Sequence, residues 1–212
     1  MAFLPKEPLT LTGGCFCRAC RYTIDVPALE DRPVHPTAKP TPISATESVE
    51  TRIPVIDLDH CQNCRQVSGA IIQVWFICPA DWVKWELQTT SGNTNSFSTA
   101  DAVGPEPKDQ STHLKRFQAT DRATRSFCGN CGTNLTYYSH KRHGPKAVVD
   151  ITVGSMDKES LEVAKPDRHG WWDSGTGWIQ DLVSKGSGFL VRHSTGDMSQ
   201  MVDEFAMSGG SR

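Results

Sequence analysis

Seven of the eight cysteines sit in short-spaced groups on segments far apart in the chain: Cys15, Cys17 and Cys20, then Cys61 and Cys64, then Cys128 and Cys131. Two thiolates a few residues apart can bend back onto one tetrahedral ion, and a pair from a remote segment completes the shell. Remote stretches must therefore converge wherever they share an ion, and no other feature restricts the fold as much. The spacing reads as a zinc protein. A disulfide framework fits less well, because residues 1–5 open no apolar signal-peptide core and 212 residues need no cross-links to hold a core. A redox Cys-x-x-Cys normally opens a helix after a strand, whereas residues 127–133 read as a turn.

Composition bounds the class. Gly (17) and Pro (13) are plentiful and helix-period apolar patterning is scarce, so strands and turns dominate. A net charge of −2 offers no global basic field to nucleic acid. No apolar run approaches the roughly 20 residues needed to cross a bilayer. The expectation is one domain over 1–212, intracellular and cytoplasmic, with no nucleic-acid or membrane partner.

Alternation marks the strands. Residues 9–12, 21–26, 71–78, 82–87, 125–128, 135–138 and 147–154 carry β-branched and aromatic residues, often in period two. Residues 65–70 read as a short helix or turn behind the second cysteine pair. Six prolines between 27 and 54 suggest an extended surface excursion, and 100–120 reads as a second polar insertion. The core is expected over about 9–182, with a flexible tail over about 195–212. Trp75, Trp82 and Trp85 read as core, and Cys78 as a small buried hydrophobe.

Several ordered motifs together resemble one family. They are Gly13-Gly14-Cys15-Phe16-Cys17; His60-Cys61-x-x-Cys64-Arg65 with Ser68-Gly69-Ala70; and Arg125-x-Phe127-Cys128-x-x-Cys131-Gly132-Thr133-x-Leu135. Asp150-x-Thr152-x-Gly154-Ser155-Met156-Asp157 and His169-x-Trp171 follow in order. The chain resembles the glutathione-dependent formaldehyde-activating enzymes, a family that also takes in centromere protein V relatives. The resemblance implies a mainly β, zinc-anchored β-tent of several small antiparallel sheets with few short helices. It also implies carbon–sulfur lyase chemistry on a small carbonyl adduct, with glutathione as the thiol.

Residue by residue, the resemblance implies a closed structural site of Cys15, Cys17, Cys128 and Cys131. It implies a second, open site where the family reads Cys-His-Cys-x-x-Cys and this chain reads Asp59-His60-Cys61-Gln62-Asn63-Cys64. Aspartate stands in place of the family's first cysteine, and Cys20 appears beside the first pair, where the family relies on no ligand. Asp59 can bind zinc through oxygen, or Cys20 can swing across to restore three thiolates, or the second ion is lost. A carboxylate ligand leaves a harder, more Lewis-acidic metal.

Catalysis is then expected at Asp59, His60, Cys61 and Cys64, with Arg125 and His169 contacting the small-molecule substrate or its thiol. His60 can shuttle a proton, or it faces away from the metal as a strand neighbour does. His169 lines the pocket or packs at an edge, and Arg125 holds an anionic group or makes a salt bridge. Against the enzyme stands a non-catalytic zinc scaffold, in which 27–54 and 100–120 would present a protein-binding surface.

Overall fold

The computed structural model describes residues 4–35, 38–140 and 147–186, so the expected tail at 195–212 lies outside the described residues. Two units are distinguished, Met1–Gly175 and Thr176–Arg212. In the first, the strands in chain order are β1 (Leu9–Gly14), β2 (Cys20–Val26), β3 (Thr41–Pro42), β4 (Ser48–Val49), β5 (Val55–Asp59) and β6 (Gln73–Pro79). They continue as β7 (Val83–Gln88), β8 (Thr94–Ser98), β9 (Leu114–Thr120), β10 (Ala123–Cys128), β11 (Asn134–Ser139), β12 (Val148–Thr152) and β13 (Arg168–Gly170). Short helices α1 (Gln62–Ser68), α2 (Thr99–Val103) and α3 (Lys158–Val163) interrupt them, and the second unit carries α4 (Gly177–Lys185). The fold is mainly β. No helix among the described residues is long and apolar enough to cross a membrane.

Among the described residues a four-stranded sheet runs β1-β2-β7-β8, and a seven-stranded sheet runs β13-β5-β6-β12-β11-β10-β9. Side chains directly opposite one another share a face, and their neighbours along the strand take the other. Ile56, Phe76, Ile151, Thr136 and Ser126 form one row across five strands of the larger sheet, and all are buried. Opposed pairs Leu11–Ile24, Tyr22–Trp85 and Ile24–Val83 supply the buried face of the smaller sheet. These two faces share one hydrophobic core. The adjacent row of the larger sheet, Arg125, Tyr137, Asp150 and Ile77, necessarily points to its other face.

The sheets are also stitched by polar contacts. Gly13 bridges to Met156, Tyr22 Oη and Ser155 Oγ lie 2.8 Å apart, and Arg21 Nη1 donates to Asp157 Oδ1 at 3.0 Å. Glycine is required at 13, because a Cβ there would stand 2.2 Å from Tyr22 Oη and 2.7 Å from the Ser155 carbonyl oxygen. Gly13→Ala is expected to cost about 1–3 kcal/mol, which corresponds to a melting temperature lower by several degrees. A thermal melt matching the wild type would contradict this close approach.

Both stretches read as polar insertions contribute structure that composition concealed. In 100–120, α2 buries Ala102 and Val103, Arg116 Nε donates to the Ala102 carbonyl at 2.8 Å, and β9 closes the edge of the larger sheet. In 27–54, β3 pairs with β4, Thr41 and Thr51 hydroxyls meet at 2.8 Å, and Arg32 and Ile53 are buried. Polar residues fold here because backbone carbonyls and hydroxyls satisfy them.

Candidate metal centres and active site

The first cysteine group closes where the two sheets meet. Cys15 follows the end of β1, and its N–H donates to the Cys20 carbonyl at 2.8 Å, folding residues 15–20 into a turn with Arg18 at φ 68°. Cys128 ends β10, just after a bulge between Ser126 and Phe127. Its carbonyl accepts from Gly132 N–H at 2.8 Å, and Gly132 takes φ 76°. The two turns touch through Thr133, whose Oγ1 accepts from Phe16 N–H at 3.1 Å. Ligand atoms of Cys15, Cys17, Cys128 and Cys131 all lie within 4.8 Å of one another. Cys15 Sγ is 3.5 Å from Cys17 Sγ, which is 3.6 Å from Cys128 Sγ. Four sulfurs at about 2.3 Å around zinc would stand about 3.8 Å apart, so the set fits that ion.

The environment suits thiolates that need a cation. Burial pushes the Cys15 thiol up to about 12. Burial also raises Cys131, but hydrogen bonds from Thr133 and the backbone outweigh it and bring that thiol down to about 6. Cys20 is fully buried beside this group, its N–H donating to Cys15 Sγ at 3.2 Å. In this structure it lies beside that group and is not among the ligand atoms gathered by Asp59, Cys61 and Cys64.

The second group lies on the opposite face of the larger sheet. Asp59 ends β5, Cys61 precedes α1 and Cys64 sits in its first turn; their ligand atoms lie within 4.8 Å of one another. The buried Asp59 carboxylate is held at both oxygens, Oδ1 accepting from Cys61 N–H at 2.8 Å and Oδ2 from Trp75 Nε1 at 2.9 Å. Cys64 Sγ accepts from Arg125 Nη2 at 3.2 Å. Burial and then Asp59 push the Cys64 thiol up to about 12, against the pull of Arg125. One carboxylate and two thiols are ligand types that zinc accepts, so the group could hold a metal ion. The strand–Cys-x-x-Cys–helix order is also that of a redox dithiol, but the third ligand atom distinguishes this group.

Arg125 is the unusual residue. It is only 5% exposed, Nη1 has no hydrogen-bond partner among the described residues, and Cζ sits 4.9 Å from the Tyr137 ring centroid. It lines a cavity of about 830 Å³ with Asp59, Cys61, Cys64, Trp75 and Tyr137. Phe117 and Trp171, both largely exposed, add aromatic walls. Trp75 is buried at 2% exposure, as its sequence context leads one to expect, and its register opposite Asp57 places it on the site's face.

His60 and His169 come together beside this cavity rather than in its walls. His60 Nε2 and His169 Nδ1 are 3.1 Å apart, and the Trp172 ring packs against both, with centroids at 5.0 and 4.8 Å. His60 N–H donates to the Gly170 carbonyl at 3.0 Å. Burial and then His169 lower the His60 pKa. His60 points away from the metal group, the alternation expected along an extended segment.

Residues 46–174, more than half of the chain, match the family described as glutathione-dependent formaldehyde-activating enzyme. The chain belongs to this family. The family match covers the whole second group together with Arg125, Cys128, Cys131 and His169, and it leaves Cys15 and Cys17 to be placed by geometry alone. No curated protein matches the chain.

Proposed function

We propose that this chain is a zinc-dependent lyase-type enzyme that makes or breaks a carbon–sulfur bond in the adduct of a thiol with a small carbonyl compound. Family membership supports glutathione as the thiol. The observation that carries the reading is the ligand group Asp59, Cys61 and Cys64 on the wall of an 830 Å³ cavity. Zinc held there would supply Lewis acidity and favour the thiolate form of a substrate thiol.

The chain's own residues then divide the work. Trp75 Nε1 fixes Asp59 Oδ2, so the carboxylate keeps one orientation. Arg125 stabilises negative charge on Cys64 through Nη2, and its free Nη1 is available to an anionic group of the substrate. Phe117 and Trp171 shield the cavity from water. His60 and His169 act as positioning residues, holding the 59–61 segment through their mutual contact and through Gly170. The cysteines 15, 17, 128 and 131 would hold a second, structural zinc.

Metal analysis and turnover of a formaldehyde–glutathione adduct test the reading. Two zinc ions per chain are expected. Arg125→Met should retain both and lose about 10–100-fold in turnover, the worth of one charged hydrogen bond. One zinc per chain, or turnover indifferent to its removal, would defeat the proposal. Absence of turnover together with a stable protein partner would favour a binding module.

A further inference from the structure

A second cavity, of about 570 Å³, shares no lining residue with the metal pocket. It lies under the proline-rich stretch, with Leu29, Ile43, Val49 and Ile56 as apolar walls. Its volume is in the range of small-molecule sites, about 300–1,000 Å³. The walls themselves would suit any apolar body, so the charges decide what enters.

Arg32, Arg52, Lys6 and Lys165 line the cavity, against the carboxylates Glu50 and Asp167. Asp167 is already engaged, with Arg168 Nε at 2.7 Å from its Oδ1. Arg32 is only 4% exposed, yet among the described residues its hydrogen bonds go to neutral carbonyls: Nε to Pro27 at 2.9 Å, Nη2 to Pro5 at 2.5 Å and to Glu7 at 3.4 Å. Arg52 Nη1 likewise donates to the carbonyls of Arg32 at 2.6 Å and Glu30 at 3.4 Å. Among the described residues, none of these four cations is in an ion pair.

Carbonyls satisfy donors but do not neutralise charge. A buried guanidinium is costly to hold charged: burial pushes the Arg32 pKa down, and the nearby Glu30 and Glu7 carboxylates offset this only in part. A monoanion entering the cavity would add a carboxylate on the side where the four cations converge, while the aliphatic walls would take up an attached chain. The excess of cations and the lack of Cys or His exclude a metal ion.

We infer that this cavity is a binding site for an amphipathic organic anion, a carboxylate carrying an aliphatic chain of medium length. The site is independent of the metal pocket and does not rest on the lyase reading.

Calorimetric titration of the full, zinc-loaded chain with decanoate below its micellar concentration tests the inference. Decanoate should bind at least about 10-fold more tightly than decan-1-ol or acetate, each of which lacks half of the recognised chemistry. The double variant Lys6→Glu/Lys165→Glu changes two exposed side chains, so its fold should be retained, and decanoate affinity should fall at least about 10-fold. Arg125→Met, in the other pocket, should leave it unchanged. Equal binding of decan-1-ol, unchanged affinity in the double variant, or loss of binding in Arg125→Met would each overturn the assignment.

Discussion

Cys128→Ser is expected to leave a chain without a stable native state at 25 °C. Cys128 is fully buried at the junction of the two sheets, 3.6 Å from Cys17 on the turn that follows β1. Structural zinc sites are worth about 10–16 kcal/mol of apparent binding free energy, whereas domains retain only about 5–15 kcal/mol of net stability. Losing that ion therefore removes about as much free energy as the fold holds in reserve. Circular dichroism and thermal melting would read the effect, and a strong chelator added to the wild type should mimic it. Cys78→Ser is the control. Cys78 is equally buried but lies outside both ligand groups, so the variant should melt earlier while keeping its zinc. A melting curve untouched by chelator would remove the structural role of the first group.

Cys64→Ser is expected to do the opposite: turnover collapses and the fold persists. The substitution removes one of two thiolates from the Asp59 group and the sulfur that accepts from Arg125 Nη2. Two remaining protein ligands rarely hold zinc. The metal content should fall from two ions to one and turnover by about 1,000-fold or more, since the Lewis acid supplies several kcal/mol of transition-state stabilisation. The melting temperature should move by only a few degrees, because the sealed group is untouched. A one-zinc wild type that reduces disulfides would reassign Cys61 and Cys64 as a redox pair.

Local features of the chain were readable without coordinates. Alternation marked β2 and β7, because a strand half buried in a core must alternate, and runs of β-branched and aromatic residues marked β6, β10, β11 and β12, all to within a residue or two. Short cysteine spacings marked the pairs, because a turn of fixed length can bring two sulfurs onto one ion, and the family resemblance implied how they divide and that Asp59 joins the second group. By contrast β8 and the three-residue β13 escaped, lacking an apolar pattern, and β9 and α2 were hidden in a stretch whose polar composition suggested an insertion.

Spacing and periodicity thus marked the candidate metal-binding cysteines, the β class and the positions of most strands, since each of these arises from residues near one another in the chain. Strand pairing over long separations settled the rest: that Arg125 reaches Cys64, that the buried Trp75 also braces Asp59, that His60 meets His169, and that Cys20 lies beside the first cysteine group. Which face a side chain occupies follows from register, and a shift of one residue reverses it. Only the assembled sheets fix that register.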